Sequence, residues 1–152
     1  MLSNFKAIQY KLANNWFNVI NINDYKDKPI NYLEIGTFYG ANIISVGLTY
    51  CLHKDSKLYC IDPWEDYDEY DEYDEYKNKQ PYIYNTFIEN IKNSGFENKI
   101  IINRGYSNKE INNFDDNFFD IIYIDGNHEP DYVLEDAVCS FRKLKINVIM
   151  IF

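Results

Sequence analysis

The sequence contains no apolar run near the ~20 residues that span a bilayer. Its N-terminus, MLSNFKAIQYKLANNW, lacks the long apolar core and the small-residue cleavage site of a signal peptide. Both absences lead us to expect a cytoplasmic protein with no membrane partner. Cysteine is scarce: Cys51, Cys60 and Cys139 are an odd number in apolar surroundings, which argues against a secreted disulfide scaffold. Arginine is scarcer still, with only Arg104 and Arg142. There is no basic stripe, and because phosphate neutralisation dominates nucleic-acid binding, neither DNA nor RNA is expected as a partner.

What remains is enough for one globular domain. The 152 residues are 46% hydrophobic and 26% charged, and a chain of this length buries a core without disulfides or a structural metal. The net charge of −9 is local: nine acids and no Lys or Arg lie between Asp62 and Glu75, and the other 15 acids balance the 15 bases. Within that stretch DYDEYDEYDEY, Asp66 to Tyr76, repeats a three-residue unit that matches neither a helix nor a strand period. It reads as a solvated low-complexity loop.

Along the chain the apolar spacing changes character. Phe5, Ile8, Leu12, Trp16 and Val19 share one helical face, with Ser3 as N-cap, so residues 1–28 are expected to be an amphipathic helix and a polar connection. Over residues 31–152 short apolar runs alternate with helical segments. Tyr32 to Ile35, Lys57 to Ile61, Lys99 to Asn103, Phe118 to Ile124 and Val148 to Phe152 read as strands. Ala41 to Leu52, Tyr82 to Ile91, Ser107 to Asn112 and Tyr132 to Leu144 read as helices. Strands apolar at nearly every position, with helices between, are the signature of an α/β fold with a doubly wound parallel sheet. Ligands of such sheets bind outside the carboxyl ends of the strands, where strand order reverses. The residues just after each strand are therefore the informative ones.

The first strand runs into Glu34-Ile35-Gly36-Thr37-Phe38-Tyr39-Gly40. Two glycines there allow a tight turn and a close ligand approach to the following helix. Phe38 occupies the middle-glycine position of the G-x-G-x-x-G fingerprint, which disfavours a nicotinamide or flavin dinucleotide. Asp62 ends the second strand, some twenty residues on, where a carboxylate accepts ribose hydroxyls; its alternative is a loop acid in an acidic region. Trp64 either flanks an adenine or packs. Asp125 and His128, in Ile124-Asp125-Gly126-Asn127-His128, follow the fourth strand. An Asp-Gly pair is by itself a turn signal, whereas a histidine there is the natural general base, since imidazole ordinarily titrates near neutral pH.

Together these segments resemble the class I S-adenosylmethionine-dependent methyltransferases over roughly Asn31 to Phe152. Glu34-Ile35-Gly36-Thr37-Phe38-Tyr39-Gly40-Ala41-Asn42 is similar to their first motif in the form of the small-molecule O-methyltransferases. Phe119 to His128, continuing to Asp136, resembles a D-G-x-H subgroup that includes macrolide-sugar O-methyltransferases. The resemblance implies the strand order 3-2-1-4-5, S-adenosylmethionine as methyl donor, and a hydroxyl of a small molecule or sugar as acceptor. It implies donor binding by Glu34, Gly36, Thr37, Phe38, Gly40, Asn42, Asp62, Trp64, Tyr106, Ser107 and Asp125, and catalysis by His128 and Asp125. Metal-dependent relatives hold a magnesium ion with the acid after the fourth strand and an acidic pair after the fifth. Here the sequence ends with the fifth strand, so Asp125 is left as a single ligand and the last two strands of the fold are not found. Two other classes share part of the pattern: an inert S-adenosylmethionine-binding or interaction module, and a Rossmann-type oxidoreductase, which Phe38 disfavours. Finally, Val148 to Phe152 carries no charge or proline and reads as an interior strand, so self-association along that edge is expected.

Overall fold

Five apolar segments pair into one parallel sheet: β1 (Asn31–Ile35), β2 (Lys57–Asp62), β3 (Ile100–Arg104), β4 (Phe119–Ile124) and β5 (Leu144–Ile151). Their order is β3-β2-β1-β4-β5, the doubly wound arrangement read from the sequence. The structure is a computed structural model that describes residues 5, 6, 16, 18–66 and 76–152. Four helices connect the strands: α1 (Ala41–Gly47), α2 (Gln80–Ser94), α3 (Ser107–Glu110) and α4 (Pro130–Phe141). No helix among the described residues is long and apolar enough to cross a membrane.

The period-2 alternation of the strands divides the core. Tyr32, Leu58, Cys60 and Ile121 face one side, with Ile43, Ile44 and Val46 of α1 and Ile83 and Phe87 of α2. Leu33, Ile35, Ile61, Ile122 and Ile124 face the other, with Ala137 and Cys139 of α4 against them, and Phe119 joins this second group because the alternation breaks at the irregularity between Phe119 and Ile121. Because β2 and β4 both flank β1, their tips lie two strand spacings apart, ~10 Å. The turn after β1 lies between them.

Several boundaries differ from expectation, each for a local reason. Helix α1 ends at Gly47, where a side chain would drive into the ring of Phe96. Leu144 opens β5 instead of closing α4. Two steps along β4, Phe119 to Ile121, correspond to five along β5, Leu144 to Ile149. The extra residues include Asn147 in the left-handed region (φ 63°) and Lys145, whose Nζ donates to Asp120 Oδ2 at 2.7 Å. The fifth strand thus carries both an irregularity and a charge, a correction to its reading as a uniformly apolar run.

The expected N-terminal helix lies mostly outside the described residues. Of its five apolar positions, Phe5 and Trp16 pack on the core and Val19 is 81% exposed. Residues 67–75 of the acidic repeat also lie outside. Its ends are tied down: the backbone amide of Asn78 donates to the Asp66 carboxylate, and the Tyr76 ring sits edge-on to Phe38 at 5.1 Å.

Candidate functional site

The turn after β1 is built around two glycines with left-handed backbone. Gly36 (φ 82°) donates its amide to the Ile61 carbonyl of β2. A Cβ there would lie 2.1 Å from the Asp125 carbonyl oxygen. Only glycine lets the β1 turn and the β4 tip approach this closely, and the Asp125 amide donates to the Ile35 carbonyl at 2.8 Å across the same seam. Gly40 (φ 85°) caps α1, and its open side accommodates the Phe87 ring.

Asp62 fastens this turn to β2. Its Oδ2 accepts the amides of Thr37 and Phe38, each at 2.9 Å, and its Oδ1 accepts the amide of Trp64 at 2.8 Å. Burial raises its carboxyl above the usual range, while the three amides and Arg104 pull it down. A carboxylate offers about four acceptor positions, so one on Oδ1 remains for a ligand. Thr37 Oγ1 is buried with no nitrogen or oxygen partner, its hydroxyl beside the Cys60 thiol.

The two readings of Trp64 are resolved in favour of packing. It is 2% exposed, stacks on Phe87 at 4.9 Å, and donates its indole N–H to the Phe38 carbonyl at 3.0 Å. The ring supports the turn from beneath and offers no face to a ligand, which corrects its inclusion among donor-binding residues.

Glu34 is 1% exposed, under α1. The Tyr32 hydroxyl donates to its Oε2 at 2.6 Å and Asn42 Nδ2 donates to the same oxygen at 2.8 Å, with the Ile43 amide also bonded to the carboxyl. Burial outweighs these donors and pushes Glu34 up to about 8, Asp125 adding to the rise. At neutral pH this acid is mainly protonated. Asn42, the last residue of the first motif, therefore faces the interior instead of standing free at the helix start.

On the other side of β1, Asp125 is exposed at the tip of β4. The Tyr123 hydroxyl bonds to its carboxylate. His128 is exposed in the turn before α4, where Asn127 Oδ1 accepts the Glu129 amide at 2.7 Å. After β3, the Tyr106 ring is 43% exposed and its hydroxyl reaches Glu65 at 3.3 Å. The Ser107 hydroxyl is committed to the buried Asp136.

The structure therefore brings Gly36, Thr37, Phe38, Asp62 and Asp125 to one crevice edge, with Tyr106 and His128 on the loops around it. Glu34, Asn42 and Trp64 lie beneath. Sequence reading missed two partners, Tyr32 and Tyr123. Each stands two residues before a site acid on the same strand face, so the strand period itself was the signal.

Among the described residues no three His, Cys, Asp or Glu side chains are grouped to hold a metal ion. The Asp125 carboxylate faces a tyrosine hydroxyl and, across the register, Glu34. Magnesium needs several oxygen ligands in near-octahedral array, and these residues do not fit it.

A family model described as a methyltransferase domain matches residues 33–152. No curated protein matches the chain in sequence. Solved structures do. The O-methyltransferase TomG from Streptomyces achromogenes, involved in tomaymycin synthesis and determined with SAM, is 18% identical, with a TM-score of 0.60 over 80% of this chain and 47% of its own. A proposed caffeoyl-CoA O-methyltransferase from Staphylococcus aureus is 20% identical, with a TM-score of 0.61 over 90% of this chain and 54% of its own. A proposed S-adenosyl-L-methionine-dependent methyltransferase from Methanococcus maripaludis is 19% identical, with a TM-score of 0.59 over 86% and 50%. The chain spans about half the length of these structures, and at such identities they speak for the fold. With the family match covering the glycine turn, Asp62, Asp125 and His128, the chain belongs to the methyltransferase-domain family.

Proposed function

We propose that the chain binds S-adenosylmethionine and serves methyl transfer to a hydroxyl of a small molecule or sugar. One observation carries the reading: Asp62, with an acceptor position left open, and Asp125, exposed, stand on either side of the Gly36 turn at the carboxyl end of the sheet. Asp62 would accept one ribose hydroxyl at its open Oδ1 position, and Tyr106 would cover the adenine. Gly36 and Thr37 would lie under the centre of the donor, whose cationic end would face Asp125. The group supplies an electrophilic methyl when bound. The chain's own task is to orient an acceptor hydroxyl and remove its proton, a role that falls to His128, exposed in the turn that follows Asp125. Loss of that base is expected to lower turnover by the ~10²–10⁴ typical of a general base.

Calorimetry with S-adenosylmethionine and S-adenosylhomocysteine tests the donor site. Asp62→Ala should weaken donor binding by about 1.5–3 kcal/mol, the range for a hydrogen bond to a charged group. The same variant orphans three backbone amides, so its unfolding midpoint should also drop. Undiminished affinity would remove Asp62 from the site and leave it only the role of turn clamp.

A second copy of this chain is also proposed as a partner. Helix α4 exposes Leu134 (63%), Val138 (63%) and Phe141 (72%) at i, i+4 and i+7, and Ile146 of β5 lies open at 83%. Light scattering should show association that Val138→Lys reduces, at ~25 cal/mol per Å² of apolar surface left unburied. A monomer indifferent to the lysine would refute it.

A further inference from the structure

The buried face of α2 carries a polar residue that the crevice chemistry does not use. Ile83, Phe87 and Asn90 stand at i, i+4 and i+7 and are all fully buried. The first two pack in the core, and an apolar third residue would continue the stripe. Asn90 instead commits its side chain to backbone groups of two other segments. Its Oδ1 accepts the Lys6 amide at 2.9 Å, and its Nδ2 donates to the Lys6 carbonyl at 2.9 Å and to the Tyr39 carbonyl at 3.0 Å. Two carbonyls require the amino group and one N–H requires the oxygen, so the contacts themselves dictate which way the amide is turned.

The geometry points to Asn90 as a positioning residue that couples the N-terminal segment to the crevice turn. Its carboxamide meets Lys6 as a neighbouring peptide group would, with one bond donated and one accepted, and so it reads backbone and not a side chain. Beside it, Phe5 packs on the core and Lys6 Nζ pairs with Glu89 at 2.8 Å. The other Nδ2 proton holds Tyr39, which precedes Gly40 in the turn that carries Thr37 and Phe38. Phe87, one helical turn earlier, fills the open side of Gly40, so α2 supports the turn at two consecutive residues.

One buried amide thus serves both segments, and neither can leave without consequence for the other. With Lys6 undocked, Oδ1 and one Nδ2 proton lose their partners at a fully buried position. A buried amide in that state is costly and reorients toward new partners. Its bond to Tyr39 weakens and the turn loosens. The coupling is reciprocal: a ligand that holds the turn also holds the N-terminal segment, and the docked segment raises affinity for that ligand by the same factor. The ligand side of this coupling rests on the donor-binding reading; the contacts stand on the structure alone.

Lys6→Pro, at an exposed residue, removes the N–H that Asn90 accepts. Lys6→Ala keeps that N–H and removes only the exposed pair with Glu89, which contributes little. Amide exchange by NMR is read at the Asn90 carboxamide and at the Gly40 amide, which closes the turn on the Thr37 carbonyl at 2.8 Å. Both should exchange about 3–10-fold faster in Lys6→Pro, as for loss of one net hydrogen bond, and at the wild-type rate in Lys6→Ala. An asparagine that serves only the N-terminal segment would speed its own protons and leave Gly40 unchanged, which overturns the inference. Equal effects of proline and alanine overturn the backbone reading. The unsubstituted chain gives the second test: saturating S-adenosylmethionine should slow exchange of the Lys6 amide by about 3–10-fold. An unchanged Lys6 amide in a chain that calorimetry shows to bind the donor overturns the coupling. If the chain binds no donor, the donor-binding reading fails, and Gly40 exchange in the two Lys6 variants still decides the role of Asn90.

Discussion

Replacing Gly36 by alanine is expected to be the most damaging single substitution at the crevice. The added Cβ would meet three backbone atoms, the Asp125 carbonyl oxygen at 2.1 Å and the Asp125 carbonyl carbon and Gly126 Cα at 2.5 Å. None is the end of a flexible side chain, so the β1 turn and the β4 tip must separate. That separation strains the amide of Asp125 against Ile35 and that of Gly36 against Ile61, at 2.8 and 2.9 Å. The positive φ adds the strain of a left-handed alanine. Loss of about 3 kcal/mol or more in urea unfolding is expected, with donor binding abolished. Gly95 supplies the control, because it has nearly the same dihedral, φ 81°, with no atom within 4 Å of a built Cβ. Gly95→Ala should cost only about 1 kcal/mol, the conformational part alone. Equal costs at the two positions would show that the β1–β4 seam is not as close as described.

That contrast also shows how much the sequence could disclose. Gly36 follows an apolar strand and Gly95 the polar end of a helical segment, and from sequence alone each is a stop or turn signal. Which of them has another strand's backbone pressed against it depends on β4 lying beside β1, a pairing made across some ninety residues. The sheet was legible because its strands are apolar on both faces and need no such knowledge. The tips were legible as positions: Asp62, Asp125 and His128 stand where the strand ends put them. The side-chain partners were not. Asp62 turned out to clamp the glycine turn through three amides, because an acid at that strand end points back at the loop its neighbour makes. From sequence alone Trp64 fits ligand or core equally; Phe87, from a helix more than twenty residues away, stacks on it and settles the matter. The start of β5 is not legible because Leu144 fits the helical period of α4 as well as the strand it opens.

Glu34 yields the last expected result, a stability that falls as pH rises. Its carboxyl goes from an ordinary value of 4.5 to about 8 in the folded chain. Between those values the folded state holds a proton that the unfolded state has released, so unfolding stability declines with pH. The stabilising contribution is complete below about pH 4.5 and is lost as pH climbs through the folded value. A single such group gives a slope of at most about 1.4 kcal/mol per pH unit, hence up to about 2–3 kcal/mol between pH 5.5 and 7.5. Asp62 and Asp136 are raised by burial as well and tilt the curve the same way. The decisive measurement is therefore the difference between wild type and Glu34→Gln, from urea unfolding at several pH values. Glutamine cannot release the proton, so its curve should be flatter by Glu34's share, whatever absolute stability it loses by placing an amide group against the Ile43 N–H. Parallel curves would mean that Glu34 is not the proton reservoir. Tyr32→Phe separates the remaining cause. Its hydroxyl donates to the carboxyl at 2.6 Å and favours the charged form. Removing it should push Glu34 higher still and carry the decline to more alkaline pH, the opposite of what loss of a merely packing tyrosine would do.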